Sequence, residues 1–293
     1  MIKILHFSPV RKDPEIVKLH LESLKVLNVK EIDFTYSFYD DNINIDSSKL
    51  LREFCHNNFN CKLWNFKVPI VDDMEDSRWY ESSYKRITFV KDKIIEKFLK
   101  TDADYLFLTD SDLILHPETL KNLLGQNKEF ISSIFWTHFK GLPTFFPNAW
   151  MSSENFFPTY EEFINLKNKE VFSVDYTGAC TLLSREILEK GVRFERISQV
   201  NALGEDKHFC VRAGVYGYQP YLSTYYPSFH LYDKKLVEQG KKWIDEEFSY
   251  SYLDDWLNDD WRKKIYDYYQ NKTSVITHIK KIIKILIGKK YLK

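Results

Sequence analysis

The sequence predicts an α/β chain built on a mainly parallel, doubly wound central sheet with helices on both faces. Three observations carry this expectation. Short apolar runs alternate with amphipathic segments up to about residue 112. The run Tyr105-Leu106-Phe107-Leu108 is apolar without interruption, as suits a strand covered on both faces. Three runs end in polar clusters, at Ser8 to Arg11, at Asp40-Asp41 and at Asp110 to Asp112. Sheets of this kind present ligands at the carboxyl ends of their strands. With 293 residues, 44% of them hydrophobic and 29% charged, the chain can bury one large core.

The elements follow in order. Ile2 to Phe7 reads as a first buried strand bounded by Ser8-Pro9. Asp13-Pro14 opens a helix whose apolar positions are Ile16, Leu19, Leu21 and Leu24. Glu31 to Phe38 is a second strand, Ser47-Ser48 caps a helix through Phe54, and Cys61 to Val68 is a third strand. Residues 83 to 100 form an amphipathic helix with Ile87, Val90, Ile94, Ile95 and Phe98 on one side. Beyond it, Glu129 to Trp136 and Val174 to Leu183 read as strands, and Glu205 to Val215 reads as a helix opened by two acids. From Tyr221 to His230 the chain reads as an aromatic loop, and from Leu236 it turns helical.

Composition excludes some classes. The 42 basic and 42 acidic residues cancel, which disfavours a nucleic-acid binder. Cys55, Cys61, Cys180 and Cys210 lack metal-knuckle spacing and read as reduced thiols. The chain opens on a strand-like run and holds no apolar stretch of about 18 residues, so a cytoplasmic protein is expected.

The candidate chemistry centres on Asp110-Ser111-Asp112. Two carboxylates on alternate residues can both reach a hard divalent cation, which can bridge the phosphates of a nucleotide diphosphate. A similar triplet, Asp102-Ala103-Asp104, precedes the strand and reads as a turn. The plain alternative for Asp110 to Asp112 is a solvated strand end.

The segment Leu106 to Asp112 resembles the D-x-D region of GT-A fold nucleotide-sugar glycosyltransferases. Tyr176-Thr177-Gly178-Ala179-Cys180, continuing to Arg185, is similar to the strand that floors their donor-sugar pocket. Gly204-Glu205-Asp206 is similar to their acceptor-facing acidic motif, and His230 falls where many members supply a last metal ligand. The likeness is nearest to the family-2-like group, with some similarity to fungal mannan-polymerase-type subunits. It covers residues 1 to 240 as a GT-A domain and leaves 241 to 293 as a C-terminal amphipathic helical extension.

The resemblance implies a metal-dependent transfer of sugar from a nucleotide-diphosphate donor, expected to be UDP-linked, to a glycan, lipid-linked or protein acceptor. It implies Mn²⁺ or Mg²⁺ held by Asp110, Asp112 and His230. Asp110 and Ser111 also stand as donor contacts, with Gly178 in the pocket floor. Ser8, Pro9, Val10 and Arg11, with Asp40 or Asp41, are the implied nucleotide contacts. Arg86 is a candidate phosphate contact, with Lys85 equally placed. Asp206 is the base of an inverting reaction and Glu205 binds acceptor hydroxyls. In a retaining reaction of the GDP-mannose type the same acids would position the acceptor. His208 is the competing histidine, and Tyr80, Trp136, Phe145 and Trp150 are candidates for sugar stacking.

Two rivals remain open. A nucleotidyltransferase would carry a Gly-rich loop after the first strand, and Ser8 to Lys12 has no glycine. A non-catalytic carbohydrate-binding protein would be expected to lose one of the acids. The tail from 272 to 293 holds seven lysines, no acid and an isoleucine-rich face. It reads as a helix on an anionic membrane surface, as a helix docked on its own domain, or as a contact between two copies of the chain.

Overall fold

The computed structural model describes residues 1–69, 81–139, 142–151, 158–200, 204–257 and 260–268. The acidic loop at 71–76, Tyr80 and the basic tail at 272–293 lie outside them. Two compact units are present. The sheet unit comprises Met1–Trp136 and Pro147–Phe248, and the second unit comprises Thr137–Phe146 with the described residues from Ser249 onward.

The first half of the sheet unit winds in the expected order: β1 (Ile2–Val10), α1 (Pro14–Lys25), β2 (Ile32–Asp40), α2 (Ile45–Asn57), β3 (Cys61–Trp64), α3 (Glu81–Phe98) and β4 (Tyr105–Thr109). Asn44, and not Ser47-Ser48, caps α2, and β3 ends at Trp64 instead of Val68. β1 pairs in parallel with both β2 and β4, and β2 with β3. Alternate residues of the central strands serve opposite faces. Ile4 and Phe107 join Val17, Leu21, Leu51 and Phe54 in the core beneath α1 and α2. Leu5, Phe7, Leu106 and Leu108 join Ile94 and Phe98 of α3 on the other face.

After β4 the chain runs through β5 (Leu113–Ile114), α4 (Thr119–Gly125), β6 (Phe130–Thr137), β7 (Phe146–Pro147), β8 (Ala149–Trp150), α5 (Tyr160–Asn165) and β9 (Val171–Ser173). It continues with β10 (Tyr176–Thr177), β11 (Cys180–Ser184), α6 (Arg185–Glu189), α7 (Glu205–Val215), β12 (Tyr221–His230), α8 (Val237–Asp245) and α9 (Ser251–Trp256). The strand order is β3-β2-β1-β4-β11-β6-β12-β5, with β9 beside β12. β11 lies antiparallel to both β4 and β6, while β12 runs parallel to β6. The mixed α/β class is as expected, with an antiparallel strand in the middle of the sheet. No helix among the described residues is long and apolar enough to cross a membrane.

Four local expectations are corrected. β1 does not stop at Phe7: Ser8, Pro9 and Val10 stay in register with Phe38, Tyr39 and Asp40, and all three are buried. Pro9 is tolerated because the pairing of β1 with β4 has already ended at Phe7–Leu108. The segment Tyr221–His230 is a strand and not a loop, held between neighbours despite Pro227 and a register shift between Ser223 and Ser228. The run Val174 to Leu183 is two strands, broken at Gly178-Ala179, where Ala179 takes a φ of 70°. Cys55 and Cys61 form a disulfide across the α2–β3 turn, which leaves Cys180 and Cys210 as the free, buried thiols.

In the second unit Phe145 stacks on Trp256 at 4.0 Å, and the buried Trp261 donates from Nε1 to the Phe145 carbonyl. Phe145 is therefore a packing residue. So is Trp136 of the sheet unit, which is buried edge-on to Phe163.

Candidate functional site

The carboxyl ends of β1 and β4 lie side by side, and the turn Asp110-Ser111-Asp112 crosses from β4 into β5. Its backbone is fixed at both ends. The Asp110 N–H donates to the Ala179 carbonyl at 2.8 Å, and the Asp112 carbonyl accepts from the Leu231 N–H at 2.8 Å. β5 pairs antiparallel with β12, so His230 stands opposite Leu113 and next to the turn. Two buried histidines brace the turn from below. His6 Nε2 lies 2.9 Å from Thr109 Oγ1, and His20 Nδ1 lies 2.7 Å from the Leu113 carbonyl. Burial lowers the pKa of both, so the imidazoles stay neutral.

Asp112 is paired on one oxygen. Lys12 Nζ sits 2.7 Å from Asp112 Oδ2, and His230 Nε2 approaches the same oxygen at 3.4 Å. Burial alone would raise the Asp112 pKa, but Lys12 and His230 hold it far below the usual carboxylate range. Lys12 is positioned by the unforeseen extension of β1, being the second residue past Val10. Its N–H donates to Asn42 Oδ1 at 3.0 Å, and its carbonyl accepts from Ser47 Oγ at 2.7 Å.

The second half of the site is organised by Lys91 of α3, whose side chain is fully buried. Its ammonium lies 2.7 Å from Glu205 Oε1, 2.9 Å from Asp206 Oδ1 and 3.8 Å from Asp110 Oδ1. It also lies 5.2 Å from the centre of the Phe194 ring. Burial would strip its proton, yet the three carboxylates hold it charged. One ammonium does not satisfy three acids. Burial, with repulsion from Glu205 and Asp110, pushes Asp206 up to about 7 against the pull of Lys91. Asp110 is pushed up to about 6, again chiefly by burial, and its Oδ1 accepts no hydrogen bond among the described residues.

Gly204, at a φ of 100°, turns the chain into α7 and sets both acids in the first helical turn. Gly178 makes room for one of them, because a Cβ there would overlap the Asp206 carboxylate. Asn148 holds this loop by donating to the Gly178 carbonyl at 3.0 Å.

The expected site residues thus divide into groups. Asp110, Ser111, Asp112, Gly178, Glu205, Asp206 and His230 gather at the carboxyl ends of β4 and β12. Arg11, Asp41 and Arg86 form a second cluster, in which Asp41 Oδ2 accepts from Arg86 Nε at 2.7 Å and lies 3.5 Å from Arg11 Nη1. Asp40 is used locally, accepting from Asn42 and from Ser48 Oγ at 2.9 Å. Ser8, Pro9 and Val10 lie inside the sheet and offer no loop surface. His208 is buried in α7 and accepts from the Ile197 N–H at 3.3 Å, so it does not compete with His230. Trp150 is half-buried, with Lys207 Nζ 4.4 Å from its ring centre.

Lys12 and Lys91 were not foreseen from the sequence. Lys91 had a signal: it lies four residues after Ile87 and three before Ile94, on the apolar side of its helix. A charge in that stripe needs a buried partner.

No protein-family model matches the sequence, and no curated protein matches it. In fold, the chain is similar to the solved structure of S. aureus TarS 1–349, at 14% identity and a TM-score of 0.49, over 84% of this chain and 65% of that one. The same protein in complex with UDP-GlcNAc gives 14% and 0.47, over 84% and 66%. A mannosyltransferase from Pyrobaculum calidifontis, solved with GDP-Man and Mn²⁺, gives 14% and 0.49, over 80% and 59%. The chain spans under two thirds of the length of these solved chains. At such values the likeness is one of general architecture, and the chemistry rests on the side chains themselves.

Proposed function

We propose that the chain is a glycosyltransferase that moves a sugar from a nucleotide-diphosphate donor to a hydroxyl acceptor. The observation that carries this reading is the meeting of two acidic motifs around Lys91. Asp110-Ser111-Asp112 follows β4, Glu205-Asp206 opens α7, and the buried ammonium of Lys91, 114 residues before Glu205, ties them together. A donor side and an acceptor side thereby meet at the carboxyl end of β4.

In an inverting transfer Asp206 takes the proton of the acceptor hydroxyl as that oxygen attacks the anomeric carbon. A carboxylate raised to about 7 suits a base working near neutral pH. Lys91 holds Asp206 Oδ1, while Oδ2 lies against Gly178. Glu205 is too deeply buried to meet a substrate, and its role is to neutralise and anchor Lys91. This revises the expectation that Glu205 binds acceptor hydroxyls. Arg11 and Arg86, held together by Asp41, present positive charge suited to phosphate oxygens.

The residues also fit a divalent cation in chemical type. Asp112, His230 and Asp110 supply two carboxylates and an imidazole, and Asp110 Oδ1 is a buried acceptor without a hydrogen bond. When all four acids are ionised they exceed the two lysines by two charges. As they stand, no three His, Cys, Asp or Glu side chains among the described residues are drawn close enough to hold a metal. When bound, Mn²⁺ or Mg²⁺ would neutralise charge growing on the diphosphate leaving group.

The test is a screen of UDP- and GDP-sugars for hydrolysis without acceptor, with Mn²⁺ or Mg²⁺ and with chelator. Turnover of at least one donor is expected, lost in Asp206→Asn with nucleotide binding retained. No hydrolysis and no binding of any nucleotide diphosphate would remove the reading.

A further inference from the structure

Lys12 occupies the place where a cation held by Asp112 would sit. Its Nζ is 2.7 Å from Asp112 Oδ2, the oxygen that also faces His230 Nε2 at 3.4 Å. A metal ligated by Asp112 and His230 would meet an ammonium at contact distance. Like charges that close repel strongly in a partly buried site. Lys12 and the cation therefore compete for Asp112.

The lysine is built to yield. Its backbone is fixed by Asn42 and Ser47, so movement is confined to the four-carbon stem. About a quarter of its side chain is exposed, at 24%. Arg11, the preceding residue, belongs to the basic cluster with Arg86. An anion held by this cluster would contact the residue next to Lys12 in sequence.

Resting on the transferase reading above, we propose that Lys12 makes cation binding conditional on the donor's diphosphate. In the free protein Lys12 is the counter-ion of Asp112 and keeps divalent cations out. A nucleotide diphosphate draws the ammonium onto a phosphate oxygen, which frees Asp112 Oδ2 for the cation. Cation and diphosphate then bind cooperatively, each tightening the other by the same factor.

The experiment is Mn²⁺ titration followed by electron paramagnetic resonance. It uses the full chain and the Lys12→Met and Lys12→Gln variants, with and without UDP or GDP. Thermal melts of both variants check folding. Weak Mn²⁺ binding is expected for the unaltered chain, tightened by about tenfold or more when the diphosphate is added, the scale set by one unit charge at near-contact distance. The variants should bind Mn²⁺ alone about tenfold or more tighter than the unaltered chain, with the diphosphate effect much reduced. Equal Mn²⁺ affinity in folded variants and unaltered chain would overturn the gate while leaving the transferase reading intact. Diphosphate binding that is indifferent to chelator but lost in Lys12→Met would overturn it too, making Lys12 a permanent substitute for the cation. Failure of the unaltered chain to bind either Mn²⁺ or a diphosphate would remove the transferase reading itself.

Discussion

The Asp112 side and the Asp206 side of the site are built from the same parts and reach opposite states. Asp112 has an ammonium to itself, with an imidazole beside it, and stays ionised. Asp206 shares its ammonium with Glu205 and Asp110, and its pKa rises to about 7. The difference lies in how many acids each lysine serves. A buried carboxylate paired with its own ammonium stays ionised. A carboxylate that must exchange a proton is left partly unpaired in a buried place.

Breaking the shared lysine should give the largest effect. Lys91→Met leaves Glu205, Asp206 and Asp110 without their ammonium. Removing one partner of a buried ion cluster typically costs about 3–5 kcal/mol. Thermal melts at pH 8 should show that loss, and melts near pH 5 should show a smaller one, since protonated acids need no partner.

Gly178→Ala comes next. The added Cβ overlaps the Asp206 carboxylate and must displace it or the loop. A stability loss of about 1–3 kcal/mol is expected, with turnover falling much further than nucleotide affinity. Calorimetry beside a hydrolysis assay separates the two.

The pH dependence sharpens the contrast because the two acids carry opposite signs. Asp206 is raised above the ordinary 3.8, so its contribution to stability is full below that value and is lost as pH rises through about 7. Asp112 is depressed, so its contribution is present above the ordinary value and is lost as pH falls toward its folded one. The Asp206 contribution should decline between about pH 4 and pH 7, and Mn²⁺ with diphosphate should raise the melting temperature more at pH 7.5 than at pH 5.5, because Asp110, pushed up to about 6, is ionised only at the higher value. Turnover should climb to a plateau above about pH 7 if Asp206 is the base.

The smallest effect concerns Asp40. It serves Asn42 and Ser48, and not the Lys91 or Lys12 clusters, so Asp40→Ala should lower stability by about 1 kcal/mol and leave Mn²⁺ titrations unchanged.

Legibility in the sequence followed the range of the interaction. The turn Asp110-Ser111-Asp112 was readable because an apolar run precedes it, and the α7 acids because they open a helix right after Gly204. Only the order of the motifs points to His230 in the sequence, and the pairing of β5 with β12 brings it to Asp112. The strand Tyr221–His230 was hidden by aromatic residues and Pro227, since its pairing with β6 is non-local. Ser8-Pro9 read as punctuation, although β1 continues to Val10 and thereby positions Lys12. The Lys91 cluster joins partners over a hundred residues apart, which no local pattern records.

The contrast between the two acids can be measured directly by carboxyl ¹³C NMR titration of the folded chain. Asp206→Asn and Asp112→Asn would assign the two resonances. The account predicts that Asp206 titrates near pH 7 and that Asp112 stays ionised to the lowest pH at which the chain remains folded. Two ordinary titrations near pH 4 would contradict it.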